Sequence, residues 1–297
     1  MRPDAGKSMR QIVHPGPVAR ERLAAVPCRV RPLKLTLEPA AGETVLAALA
    51  RAFADAGYAA GYACLEDVAM ARMNYVIPAA SPDDSHAAWY SATHEGGPGS
   101  RISRAGLHLG QRDGAPFFHC HGIWTPAGRS EAMGHLLPFE AELAGPVEVD
   151  VLAISGAHLV TRPDAETNFP LFAPEAAPPA PGEAERERAG SARGLLLTIR
   201  PNVDVCAMIS EACEAAGFAA ASVHGIGSLV GADYEDGTSV SSYATEVLVR
   251  SGSWRRGQGT CLDIALVGLD GAISTGILRQ GCNPVCVTFE LLLTEVA

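Results

Sequence analysis

The chain repeats itself, and this restricts its fold more than any other feature. Leu35-Thr36-Leu37-Glu38-Pro39 returns as Leu197-Thr198-Ile199-Arg200-Pro201. A helical stretch follows each, then a Gly-aromatic-Ala-Ala step: Gly57-Tyr58-Ala59-Ala60 in the first copy and Gly217-Phe218-Ala219-Ala220 in the second. Pro146-Val147-Glu148-Val149 matches Pro284-Val285-Cys286-Val287 further on. A 297-residue chain of this kind reads as a tandem duplication of one domain rather than one large core. The expected divisions are a basic N-terminal arm over 1–30, a first domain over 31–172, a Pro/Ala/Glu-rich linker over 173–193 and a second domain over 194–297.

Within each copy the hydrophobic period changes once. Leu33, Leu35 and Leu37 alternate with polar residues, the pattern of a half-buried strand. From Glu43 to Ala56, Val45, Leu46, Leu49 and Phe53 share one helical face, and Val205, Met208, Ile209 and Ala212 repeat the pattern. Alternating segments such as Val147-Val149-Val151 follow. The expected fold class is therefore α+β: two tandem domains, each a mostly antiparallel sheet with one main helix.

Charge limits the function. The chain carries 33 acidic and 23 basic residues, a net −10, yet residues 1–34 alone are basic. An acidic body opposes general binding to phosphate backbones, so a nucleic-acid contact would rest on the arm and is not favoured. The longest uncharged run, Ala215–Ala232, carries His224 and four glycines and is not read as a membrane span. The N-terminus lacks the apolar core of a secretory signal, so a cytoplasmic location with eight reduced cysteines is expected.

The chemistry concentrates in the first copy. His119 and His121 flank Cys120 on a predicted strand, so both rings leave the same face about 7 Å apart. Two imidazoles so placed can share a divalent ion, zinc being the expected one, and His135 on the next strand would be a third ligand. Aligning Gly128 with Gly271 sets Leu262 and Ile264 opposite the histidines, which are accordingly expected to point inward. Glu131 is the candidate acid/base. The first copy is also longer over 78–104, read as a lid in which Tyr90, His94, Arg101 and Arg104 recognise a small anionic ligand. His224, in Val223-His224-Gly225-Ile226-Gly227, is the second copy's contribution. Signatures of nucleotide-phosphate loops, serine elbows and HExxH zincins are absent.

This order of features resembles the plants-and-prokaryotes conserved (PPC) domain family, whose pattern has an early strand and helix, an HxH strand with a following glycine, and Gly-His-Leu. The first copy supplies His119-Cys120-His121, Gly128 and Gly134-His135-Leu136, and the second supplies only Gly225-Ile226-Gly227. The resemblance implies homo-oligomers, usually trimers, and DNA association by analogy with plant members that carry an AT-hook. Here Arg29-Val30-Arg31-Pro32 has valine where the hook needs glycine. The expected function is a His-based metal and small-ligand site, with metal-assisted hydrolysis or Lewis-acid chemistry if it is an enzyme. A DNA-associated regulator and a non-catalytic metabolite sensor are the alternatives.

Overall fold

The computed structural model describes residues 9–177 and 190–296. The first half contains β1 (Leu23–Leu37), α1 (Val45–Asp55), β2 (Ala60–Val76), β3 (Pro78–Ala79), β4 (Trp89–Tyr90), β5 (His94–Gly96), β6 (Ser100–Arg112), β7 (Ala115–Thr125), β8 (Ala132–Leu143), β9 (Val147–Ser155), β10 (Ala157–Pro163) and β11 (Pro170–Ala176). The second half contains β12 (Ala192–Ile199), α2 (Val205–Ala215), β13 (Ala220–Leu229), β14 (Ala232–Asp233), β15 (Ser239–Val240), β16 (Glu246–Arg255), β17 (Gly259–Val267), β18 (Ile273–Ile277) and β19 (Val285–Glu295).

The α+β expectation is overturned: the molecule is mostly β, with 58% of residues in strands and 8% in helices. Each half spends one 11-residue helix against strands of up to 17 residues, so the helix fills one place against a sheet and forms no layer of its own. Both helices start on a side-chain cap. Thr44 Oγ1 accepts the Ala47 amide at 3.2 Å, and Asp204 Oδ1 accepts the Ala207 amide at 2.8 Å. Val45, Leu49 and Phe53 are fully buried, each contributing about 1.5–3 kcal/mol.

One sheet runs through both halves. From β8 its order is β8-β7-β6-β2-β9-β1, then β12-β19-β13-β16-β17-β18. The two series run through corresponding strands in opposite directions and meet where β1 pairs antiparallel with β12. The bent β2 pairs with β6 along one edge and with β9, then β8, along the other, which closes β2, β6, β7 and β8 into a barrel. Leu65, Met70, Leu107, Phe118, Cys120 and Trp124 fill it. The sheet then folds back, and Met133 of the first half packs against Ile226, Leu248 and Ala265 of the second.

Other expectations meet the strand boundaries. β1 begins at Leu23, inside the expected arm, and β11 extends to Ala176, inside the expected linker; residues 178–189 of that linker, and 1–8 of the arm, lie outside the described residues. The arm's described part is held down: the Asn202 side chain bonds both the Ile12 amide and the Ile12 carbonyl at 2.8 Å, and Arg10 pairs with Asp233 at 3.1 Å. No helix among the described residues is long and apolar enough to cross a membrane.

Candidate metal centre and pocket

The histidines do not point into the core of their own half. Phe118 and Cys120 do, with no exposed surface, so His119 and His121 leave the opposite face of β7 toward the second half. The ladders explain the error. His121 stands opposite His135 as Asp263 stands opposite Ile277, so Cys120 corresponds to Leu262, and His119 to Cys261. The turns that follow begin at Pro126 and Gly268, each closed by a hydrogen bond from the fourth residue. The left-handed glycine is third in one turn, Gly128, and fourth in the other, Gly271. Aligning the glycines slips the strand by one residue, and a slip of one reverses every face.

Three rings meet in front of β7 and β8. A ligating nitrogen of each of His119, His121 and His135 lies within 4.8 Å of those of the other two, so the cluster can hold a metal ion. Two carboxylates of the second half face it. Glu290 Oε2, on β19, lies 2.8 Å from His119 Nδ1, and Glu246 Oε2, at the start of β16, lies 2.8 Å from His121 Nε2. His121 Nδ1 donates to the Val247 carbonyl at 3.0 Å. With Nδ1 of His121 donating to the Val247 carbonyl and that of His119 meeting Glu290, the two Nε2 atoms lie 2.9 Å apart, and the His121 Nε2 also meets Glu246 Oε2 at 2.8 Å. Two lone pairs at that distance repel unless a proton or a metal ion stands between them. His135 Nδ1 is buried with no hydrogen-bond partner. The residues therefore fit a metal: three imidazole nitrogens, two of them oriented from behind by an acceptor, with a carboxylate adjacent.

Charge is divided unevenly over the cluster. Burial, with His121 nearby, lowers His119 to about 3 and keeps it neutral. His135 is lowered for the same reasons, burial first and then its two neighbours. Burial also works against charge on His121, but Glu246 and the Val247 carbonyl outweigh it and raise the ring above its ordinary value. Burial alone would raise Glu246, yet the imidazoles, His121 foremost, hold it below the usual carboxylate range. Burial raises Glu290 to about 7.

The cluster lies at the wall of a cavity of about 470 Å³ between the halves. Tyr90 reaches it, its ring 5.5 Å from His135, and Trp89 stacks on Phe169 at 5.4 Å, so part of the expected lid does border the pocket. The other sequence candidates are elsewhere. His94 stacks on Tyr75 at 5.0 Å; Arg101, on β6, is bound to Asp67 at the surface; Arg104 donates to the Arg250 carbonyl at 2.6 Å. His224 lies 5.6 Å from the Tyr62 ring, and Glu131 is exposed in the β7–β8 turn. None of these five lines the cavity. Among the described residues the arginine that does is Arg112.

Sequence reasoning missed Glu246 and Glu290. Glu290 carried a signal, as the one charged residue within the run Val285–Leu293. It faces Thr198 in the ladder as Glu148 faces Thr36, so the same strand position is exposed in the first half and buried in the second. This register also displaces the Pro146/Pro284 match by four residues.

Residues 186–297 match the Plants and Prokaryotes Conserved (PCC) domain, the PPC domain of the resemblance above. This match covers the C-terminal part of the chain. The matched residues include Glu246 and Glu290, while the three histidines lie before them. No curated protein matches the chain. Among solved structures it is similar to a metal-containing protein of Archaeoglobus fulgidus, at 20% identity over 56% of this chain and 99% of that one, with a TM-score of 0.37. A plant- and prokaryote-conserved protein of Pyrococcus horikoshii is similar at 16% identity over 52% and 96%, with a TM-score of 0.36. A proposed DNA-binding protein of Ralstonia eutropha is similar at 14% identity over 48% and 88%, with a TM-score of 0.32.

Proposed function

We propose that this is a metal-dependent small-molecule-binding protein whose site is shared by two copies of one domain. His119, His121 and His135 would hold a divalent ion of zinc's class, with Glu246 as a fourth ligand or the proton acceptor beside it. The observation that carries the reading is the convergence of one nitrogen from each of the three rings within 4.8 Å, the His119 and His121 Nε2 atoms lying 2.9 Å apart. Bound there, such an ion supplies Lewis acidity toward an oxygen of a ligand in the cavity. Glu290 fixes the His119 tautomer, the Val247 carbonyl fixes that of His121, and Tyr90 and Trp89 restrict water at the mouth. The opposed order of the strands on either side of the β1–β12 pair supports the duplication.

Binding to DNA through the arm is the weaker reading. Arg10 and Arg22, two of its described cations, are spent on Asp233 and Glu166. Metal content of untagged protein, wild type against His119→Ala/His121→Ala, tests the proposal. Near-stoichiometric zinc, iron, manganese or nickel, lost in the double variant, is expected. Wild type that takes up none of these on reconstitution would make the cluster a hydrogen-bonded packing motif.

A further inference from the structure

Arg112 ends β6 at the hairpin into β7, half-buried, and borders the cavity. Its guanidinium carbon lies 4.7 Å over the Phe117 ring, so the planar group is held against an aromatic face. Among the described residues no carboxylate is within ion-pair distance of it, in a protein with ten more acids than bases. A partly dehydrated cation without an acid partner is an open binding position for an anion.

Its placement relative to the histidines follows from the ladder. Arg112 pairs with Ala115, and His108 pairs with His119, so Arg112, Phe117, His119 and His121 share one face of the β6–β7 ribbon. Ala115 and His119 are four residues apart, about 13 Å along the strand. Phe117, Phe139, Leu137, Phe169, Leu171 and Phe172 give the cavity much of its lining, beside polar residues such as Glu140 and Thr161. The cavity therefore carries a cation at Arg112, an imidazole-carboxylate cluster two same-face strand pairs away, and the Phe117 ring on the same face between them.

We infer that the pocket selects an apolar acid, an aryl or branched-alkyl body whose anionic group pairs with Arg112 while its other end lies toward the histidines. This rests on the proposed function for the location of the site, but the recognition by Arg112 does not need the metal. The anion reader is then Arg112 and not Arg101 or Arg104, whose guanidinium groups are occupied by Asp67 and by the Arg250 carbonyl.

The test is calorimetric titration of the full chain with 4-phenylbutanoate and with the uncharged 4-phenylbutan-1-ol. Both are run with zinc-loaded and with chelator-treated protein, and the change in tryptophan emission, Trp89 being at the cavity, serves as a second readout. Wild type should bind the acid at least about tenfold more tightly than the alcohol. Arg112→Gln should lose this preference while keeping its alcohol affinity and zinc content, and Arg112→Lys should retain most of the preference. Equal binding of acid and alcohol by wild type, or no saturable binding of either, overturns the inference. So does a preference that survives Arg112→Gln but disappears on chelation, because the metal would then hold the acid. Wild type that takes up no zinc yet prefers the acid through Arg112 would refute the metal reading and leave this one standing.

Discussion

Glu290 and His119 belong to different halves of the chain, 171 positions apart, and their side chains meet at 2.8 Å across the seam between those halves. The carboxylate is almost wholly buried, at 2% exposure, so its orientation is fixed and the imidazole's with it. An imidazole that donates Nδ1–H to a fixed acceptor presents Nε2 as a ligand.

Replacing Glu290 therefore acts through His119. Glu290→Leu should weaken zinc binding by about 10–100-fold, and Glu290→Gln, which keeps an acceptor oxygen, by less. Competition against a chromophoric chelator reads this directly. Undiminished affinity in the leucine variant would show that the carboxylate does not orient the ring.

Phenylalanines on opposite faces of the β7–β8 pair should behave oppositely, since the two faces meet different environments. Phe118→Ala empties a fully buried place in the barrel and should cost about 3–5 kcal/mol in urea unfolding. Phe139→Ala, at a side chain 61% exposed on the pocket rim, should stay within about 0.5 kcal/mol of wild type. Equal losses would contradict the observed facing.

Close approach of the halves can be probed by adding one carbon. A Cβ at Gly106 would lie 1.9 Å from the Tyr62 hydroxyl and 2.9 Å from Leu248 Cδ1 of the second half. Gly106→Ala should destabilise the protein by about 1–3 kcal/mol through overpacking. Gly145, where a Cβ would meet nothing within 4 Å and φ is not positive, is the control, and its alanine variant should unfold like wild type.

Acid should weaken the fold through the loop between β10 and β11. Burial pushes Asp164 up, but the Arg200 guanidinium and the Thr167 donors outweigh it and hold the carboxyl below its ordinary value. Glu166, also raised by burial, is held low by Arg22 and the Ala19 amide. Both folded pKa values are depressed against unfolded values of about 3.9 and 4.3. Their stabilisation is thus complete above about pH 5 and disappears as the pH falls through 4 and below. Asp164→Asn/Glu166→Gln should be less stable than wild type at pH 7 and show a flatter decline between about pH 5 and 3. A parallel decline would assign the acid sensitivity to other groups.

Alternation in His119-Cys120-His121 was enough to place both rings on one face, and the Gly-His-Leu segment was enough to name His135; in the structure His135 stands directly opposite His121. Which way that face points was not legible, because it depended on a turn glycine that occupies different positions in the two halves. Glu246 and Glu290 come from strands that reach the histidines only after the sheet folds back, and no local period encodes such a contact. The α+β expectation gave too much weight to one strongly amphipathic helix per half. Arg101 and Arg104 were chosen by their proximity in sequence to the extra loop, whereas the ladder carries the same strand on to Arg112 before it reaches the cavity.

The β1–β12 pair joins the two walls of the cavity into one polypeptide sheet. In a site assembled from identical subunits, every substitution appears on both walls at once. Here the histidine wall and the carboxylate wall are encoded separately, so each can change while the other stays as it is. A residue that would be intolerable in duplicate can be present singly, and the pocket's chemistry is free to be asymmetric.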